Sequence, residues 1–186
     1  MEMIQRLKEE TRELHEQVEG QNLAKLIMNH SMDLETYKLL LLQNFIAYRA
    51  TETEIKKHLP QFKGEKHQQL ALDLSPLKIS SEIPSENDIF ECRSTAEALG
   101  AAYVVEGSAL GGMVIAKHIP SCDGLKDIDP PHFFSGSKSN LEDWKNFKIT
   151  LEQYPFTEIE KVQAISKAKE TFLFFERVFN RELALG

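Results

Sequence analysis

The segment GAAYVVEGSALGGMVIAKH, Gly100–His118, decides the fold. Its apolar residues do not alternate with polar ones, as a half-buried strand requires, and they fit a helical period. Ser94-x-x-Glu97 ahead of it is a capping-box pattern, and Pro120 stops it, which predicts one helix over about 94–118. Gly100, Gly107, Gly111 and Gly112 lie inside that helix. Each costs about 1 kcal/mol relative to Ala. Gly100, Gly107 and Gly111 project within about 40° of one another, with Ser108 and Gly112 flanking them. Such a stripe admits either a second helix or a flat ligand close to the backbone, and the glycine pair permits a bend. G-x-x-x-x-G-K-[ST] is absent and no strand precedes the segment, so this is not a phosphate loop.

The same period extends outward on both sides. Ile4, Leu7, Leu14 and Val18 predict a first helix of roughly 2–20 that stops at Gly20. A short helix near 22–29 follows. Asp33 is the expected N-cap of a long helix that ends before Pro60, and a short helix is expected over 64–73. Residues 74–88, rich in Ser and Pro, read as a surface connection. Asp129-Pro130-Pro131 forces a turn or extended segment. Ser139-x-x-Glu142 is expected to open a helix ending before Pro155, and Thr157-x-x-Glu160 to cap a final helix running nearly to the C-terminus. The expected fold class is all-α, a single compact bundle of about seven helices in one domain spanning 1–186.

Composition narrows the function. A length of 186 residues, 41% hydrophobic and 27% charged, excludes disordered and collagen-like chains. A net charge of −7 argues against nucleic-acid binding and against docking on an anionic membrane. The longest apolar runs are short, so no membrane span is expected. The N-terminus is charged and helical rather than apolar, so no signal peptide is expected. Cys92 and Cys122 form no metal or disulfide motif, and reduced thiols in a cytoplasmic protein are expected.

His15 departs from the ordinary surface histidine among the six in the chain. It lies at the edge of the apolar face of the first helix, in a sector with Lys8, Arg12 and Glu19. From there it can reach a buried ligand, with Glu19 one turn on to fix its tautomer. Lys8 and Arg12 suit carboxylates of an anionic ligand. A solvated flank of mixed charge is the alternative.

Together these segments resemble the heme oxygenase family, in particular its small bacterial biliverdin-forming branch. LKEETRELHEQVE (Leu7–Glu19) is similar to the family's proximal helix and AAYVVEGSALGG (Ala101–Gly112) to its kinked distal helix. LETYKLLLLQNFIAYRATE (Leu34–Glu52) and FFSGSKSNLEDWKNF (Phe133–Phe147) resemble the segments between and after them. The resemblance implies heme b as both substrate and cofactor, held between those two helices. It implies His15 as the iron ligand with Glu19 orienting it, and Lys8 and Arg12 facing the propionates. It places Tyr103 near the heme edge, Gly107 against the heme, and Lys145 and Lys148 in a segment that supplies further cations. Phe172 falls where the last helix brings an aromatic toward the pocket, although Phe172, Phe175 and Phe179 also recur as core. Many family members carry an aspartate where this chain has Ser108. The distal water chain is then expected to use Ser108, backbone groups at Gly111 and Gly112, or side chains from elsewhere. Dioxygen is the co-substrate, and the products are biliverdin, ferrous iron and carbon monoxide. The chain has no flavin or dinucleotide motif, so electrons are expected from a separate ferredoxin, flavodoxin or reductase. A heme carrier of the same fold is the alternative. A heme-free relative, such as a thiaminase-like enzyme, would want a catalytic cysteine or a carboxylate cluster.

Overall fold

The computed structural model describes residues 2–82, 89–135 and 137–185. Part of the 74–88 connection therefore lies outside the described residues. Among the described residues the regular structure is entirely helical. The elements are α1 (Met3–Gln21), α2 (Lys25–Met28), α3 (Leu34–His58), α4 (Lys66–Leu74), α5 (Thr95–Gly107), α6 (Ala109–His118), α7 (His132–Ser135), α8 (Ser137–Gln153) and α9 (Glu158–Phe179). Two 3₁₀ turns, Ile119–Ser121 and Asp123–Leu125, follow α6.

Several local signals act as expected. Asp33 accepts from the Thr36 amide at 2.9 Å and opens α3. Thr157 and Glu160 form a reciprocal capping box for α9. Other boundaries differ. The first helix runs through Gly20 to Gln21, because a single exposed glycine is a weak stop. The helix expected at Ser139 already starts at Ser137. The final helix stops at Phe179, leaving 180–185 non-helical. The single helix expected over 94–118 is divided at Ser108 into α5 and α6, where the Ser108 hydroxyl donates to the Val105 carbonyl at 2.8 Å.

Three helices that lack a cap of their own take one from a distant carboxylate. Glu152 on α8 accepts from the Ile4 amide at 2.8 Å at the start of α1. Glu52 on α3 accepts from the Lys66 and His67 amides, each at 3.0 Å, at the start of α4. Asp73 on α4 accepts from the His132 and Phe133 amides at 2.7 and 2.9 Å at the start of α7. In each case a carboxylate neutralises the positive end of a helix dipole and ties two elements together.

The core centres on α5, α9 and α3. Leu99, Ala101, Ala102 and Val105 of α5 pack with Ala164, Ala168 and Phe172 of α9. A Cβ on Gly100 would lie 2.0 Å from the Ala164 carbonyl oxygen, so the absence of a side chain there sets the close approach of α5 to α9. Gly100→Ala is expected to cost about 1–3 kcal/mol by overpacking, although alanine is the better helix former. Thermal or urea unfolding checks this, and an unchanged midpoint would contradict the close approach.

Candidate functional site

The stripe of small residues divides by position. Gly100 serves helix packing. A Cβ on Gly107 would meet the Trp144 ring of α8 at 3.8 Å, an ordinary contact. A Cβ on Gly111 or Gly112 would meet nothing within 4 Å. The first turns of α6 thus present bare backbone to open space, beside Leu110 and Val114, which are 53% and 48% exposed.

On α1, His15 is exposed, and its Nε2 lies 3.3 Å from Glu19 Oε1. The edge of its ring meets Phe172 of α9, with centroids 5.7 Å apart and planes at 72°. Phe172 is 7% exposed, so it is a core residue that also braces His15. The ring is oriented by two neighbours while its other nitrogen has no hydrogen-bond partner among the described residues. Lys8 and Arg12, two turns and one turn before it on α1, are exposed and have no carboxylate within ion-pair distance among the described residues. Lys145 on α8 is likewise exposed and unpaired, and Lys148 lies over the Trp144 ring, 5.6 Å from its centroid.

Thr11 and Tyr103 join these helices. Thr11 is 1% exposed and donates its hydroxyl to the Leu7 carbonyl at 2.7 Å, close to the Tyr103 hydroxyl. Burial holds the Tyr103 hydroxyl above its ordinary pKa, against the opposing effect of Thr11, and it stays protonated. Tyr103 also packs against Trp144 at 6.1 Å between centroids. The path Lys148–Trp144–Tyr103–Thr11 therefore runs from α8 through α5 to α1, one helical turn from His15.

The Ser108 proton goes to the Val105 carbonyl, and the buried Tyr48 hydroxyl of α3 lies close to it. Burial pushes the Tyr48 hydroxyl up, and Phe133 and Phe175 box its ring edge-on. Nearby, Glu106 of α5 is 5% exposed and accepts from Lys66 Nζ at 3.0 Å. Burial raises its carboxyl above the usual range despite the Lys66 charge. A cavity of about 200 Å³ borders Glu106, Phe62 and Asp143, between α5, α8 and the α3–α4 loop. It is too small for a porphyrin and touches none of the residues that the resemblance implies.

Sequence reasoning missed Thr11, Tyr48, Trp144 and the Lys66–Glu106 pair. Thr11 and Tyr48 had a signal, since each is a polar group inside an apolar helical face. Cys92 and Cys122 are buried free thiols, and burial pushes Cys92 up to about 12, which leaves no ready nucleophile at Cys92 for a thiaminase-like reaction. Thr95–Ser121 is apolar and long enough by composition to cross a membrane, but half of its apolar window is buried within the bundle.

Comparison with known proteins agrees with this architecture. No curated protein matches significantly in sequence. A heme oxygenase from Neisseria meningitidis, solved with NO and CO bound, superposes with a TM-score of 0.68 at 22% identity, covering 96% of this chain and 90% of its own. A heme oxygenase from Leptospira interrogans gives 0.71 at 18%, covering 96% and 98%. The cyanobacterial heme oxygenase-1 of Synechocystis, solved with heme, gives 0.69 at 16%, covering 97% and 91%. The family model for heme oxygenase matches residues 1–181, and the chain belongs to the heme oxygenase family.

Proposed function

We propose that residues 1–186 act as one domain that degrades heme b to biliverdin, ferrous iron and carbon monoxide, with dioxygen and an external electron donor. The reading rests on one observation above all. An exposed histidine, braced by Glu19 and Phe172, sits on α1, and α6 offers a glycine pair open to space. The donor set fits heme: one imidazole with a free nitrogen, unpaired cations for two propionates, and an apolar surface at Leu110 and Val114.

Heme is the substrate, and its iron supplies the site at which dioxygen is activated. His15 offers its lone pair on one face, while Glu19 takes the opposite ring N–H and fixes the tautomer. Lys8, Arg12, Lys145 and Lys148 bind the propionates and so set the rotation of the ring in its plane, which selects the meso carbon. Gly111 and Gly112 exclude side chains from the other face and leave backbone groups close to it. Ser108 lies beside that face with the Tyr48 hydroxyl close by. For Ser108 to donate into the site its hydroxyl must leave the Val105 carbonyl. These groups act by orientation and preorganised polarity rather than as general bases. The buried free thiols and the absence of a flavin or dinucleotide motif support a reducing, cytoplasmic setting with a separate ferredoxin, flavodoxin or reductase.

Titration of the purified protein with hemin tests this, with a one-to-one Soret band expected and no band contradicting it. Gly111→Leu is expected to weaken hemin binding by about tenfold or more, since a side chain fills the face the ligand must approach. Its melting temperature should stay equal or rise, because leucine is a better helix former than glycine and clashes with nothing. Unchanged hemin affinity in this variant would move the ligand elsewhere.

A further inference from the structure

His30 and His118 stand apart from the heme reading. His30 Nε2 lies 3.0 Å from His118 Nδ1, with ring centroids 5.3 Å apart. The two residues come from different elements, the corner after α2 and the last residue of α6. His30 is exposed and His118 half-buried, so both rings are reachable from solvent.

The backbone at His30 is unusual. The Ser31 amide donates to the Leu26 carbonyl at 2.9 Å and the His30 amide to the Ile27 carbonyl at 3.1 Å. This is a Schellman ending, and its left-handed position, normally glycine, is His30 at φ 61°. A side chain is carried where none is the cheaper choice, and it is directed at a second imidazole. Cys122 lies below the pair, but its Sγ is fully buried and bonded to the Ile27 and His118 carbonyls, so it is not a third ligand.

We propose that His30 and His118 form a surface site for a divalent transition metal, copper(II) or nickel(II), that staples the α2 corner to the end of α6. The spacing admits one ion between the two nitrogens. With metal–nitrogen bonds of about 2.05 Å, coordination angles of about 90° to 109° want nitrogens about 2.9–3.3 Å apart, and the hydrogen-bonded pair already stands at 3.0 Å. Two imidazoles completed by water suit copper(II) and nickel(II), which also bind nitrogen ligands most tightly among the divalent ions. In the metal-free protein one ring donates its N–H to the other. On binding, that ring moves this proton to its outward nitrogen, so both facing nitrogens present lone pairs, and each ring turns about its Cβ–Cγ bond to converge on the ion. Water completes the coordination.

The test uses heme-free protein and copper(II), with calorimetry for affinity and frozen-solution EPR for the ligands. One ion per chain is expected, with nitrogen hyperfine structure from two imidazoles and binding order copper above nickel. His30→Asn keeps a residue that tolerates the left-handed backbone, and His118→Gln keeps the helix end, so both variants should fold with the parent's circular dichroism. Loss of a mere hydrogen-bond partner to a metal ligand costs about 10–100-fold in affinity, and loss of either imidazole is expected to cost at least as much. Copper should raise the melting temperature of the parent but not of the double variant. Copper bound equally by the double variant, on His15 or another histidine, would overturn the proposal, as would no binding to the parent.

Discussion

His15→Ala is expected to lower heme turnover by about a hundredfold or more, since orientation of the ring depends on that ligand. The hemin complex should lose its imidazole-type Soret and EPR signature, and added imidazole should restore part of both. Stability separates this outcome from unfolding. The His15 side chain is 55% exposed, and its contact with Glu19 is a solvent-exposed pair. Removing it should change stability by less than about 1 kcal/mol. A variant with an intact spectrum and full turnover would show that His15 is not the ligand. A variant that does not fold would instead assign it to the core.

Lys66→Met is the second large effect, on stability. The Lys66 and Glu106 side chains are each 6% exposed and pair at 3.0 Å. Removing the lysine charge strands a carboxylate in the interior, at a cost of about 3–5 kcal/mol. Adding Glu106→Leu should recover most of this, because replacing both partners by apolar groups is close to neutral. The pH dependence has a definite sign. Burial raises the Glu106 carboxyl, so the folded state holds that proton to higher pH than the unfolded chain. The penalty in Lys66→Met is therefore fully present above the raised folded-state value. It fades as pH falls through that value, when the carboxyl goes neutral. Urea unfolding of the single and double variants at two pH values measures this. Equal stabilities would mean that the pair is hydrated rather than buried.

The sequence revealed the helices whose signals are local. Asp33 and Thr157 cap by contacts within three residues, and both starts could be read directly. The start of α7 could not, because Asp73 caps it across the fold; periodicity placed the starts of α1 and α4 within two residues but could not show that Glu152 and Glu52 cap them. The glycine stripe was legible as a stripe, but its meaning changes along its length. Gly100 packs against the Ala164 carbonyl, and Gly111 meets nothing, a distinction set by where α9 passes. Phe172 shows the same limit. Helical spacing marks it as core, and only the fold brings its ring to His15. The approach of Tyr48 to Ser108 brings together residues sixty positions apart, and neither residue type alone announces the other.

The most direct test of heme degradation adds ascorbate in air to the one-to-one hemin complex and follows spectrum and gas together. The Soret band is expected to decay into a biliverdin spectrum, with carbon monoxide released in equal amount to heme consumed. A Soret band that persists under reductant and air would contradict it and leave a protein that holds heme without opening it.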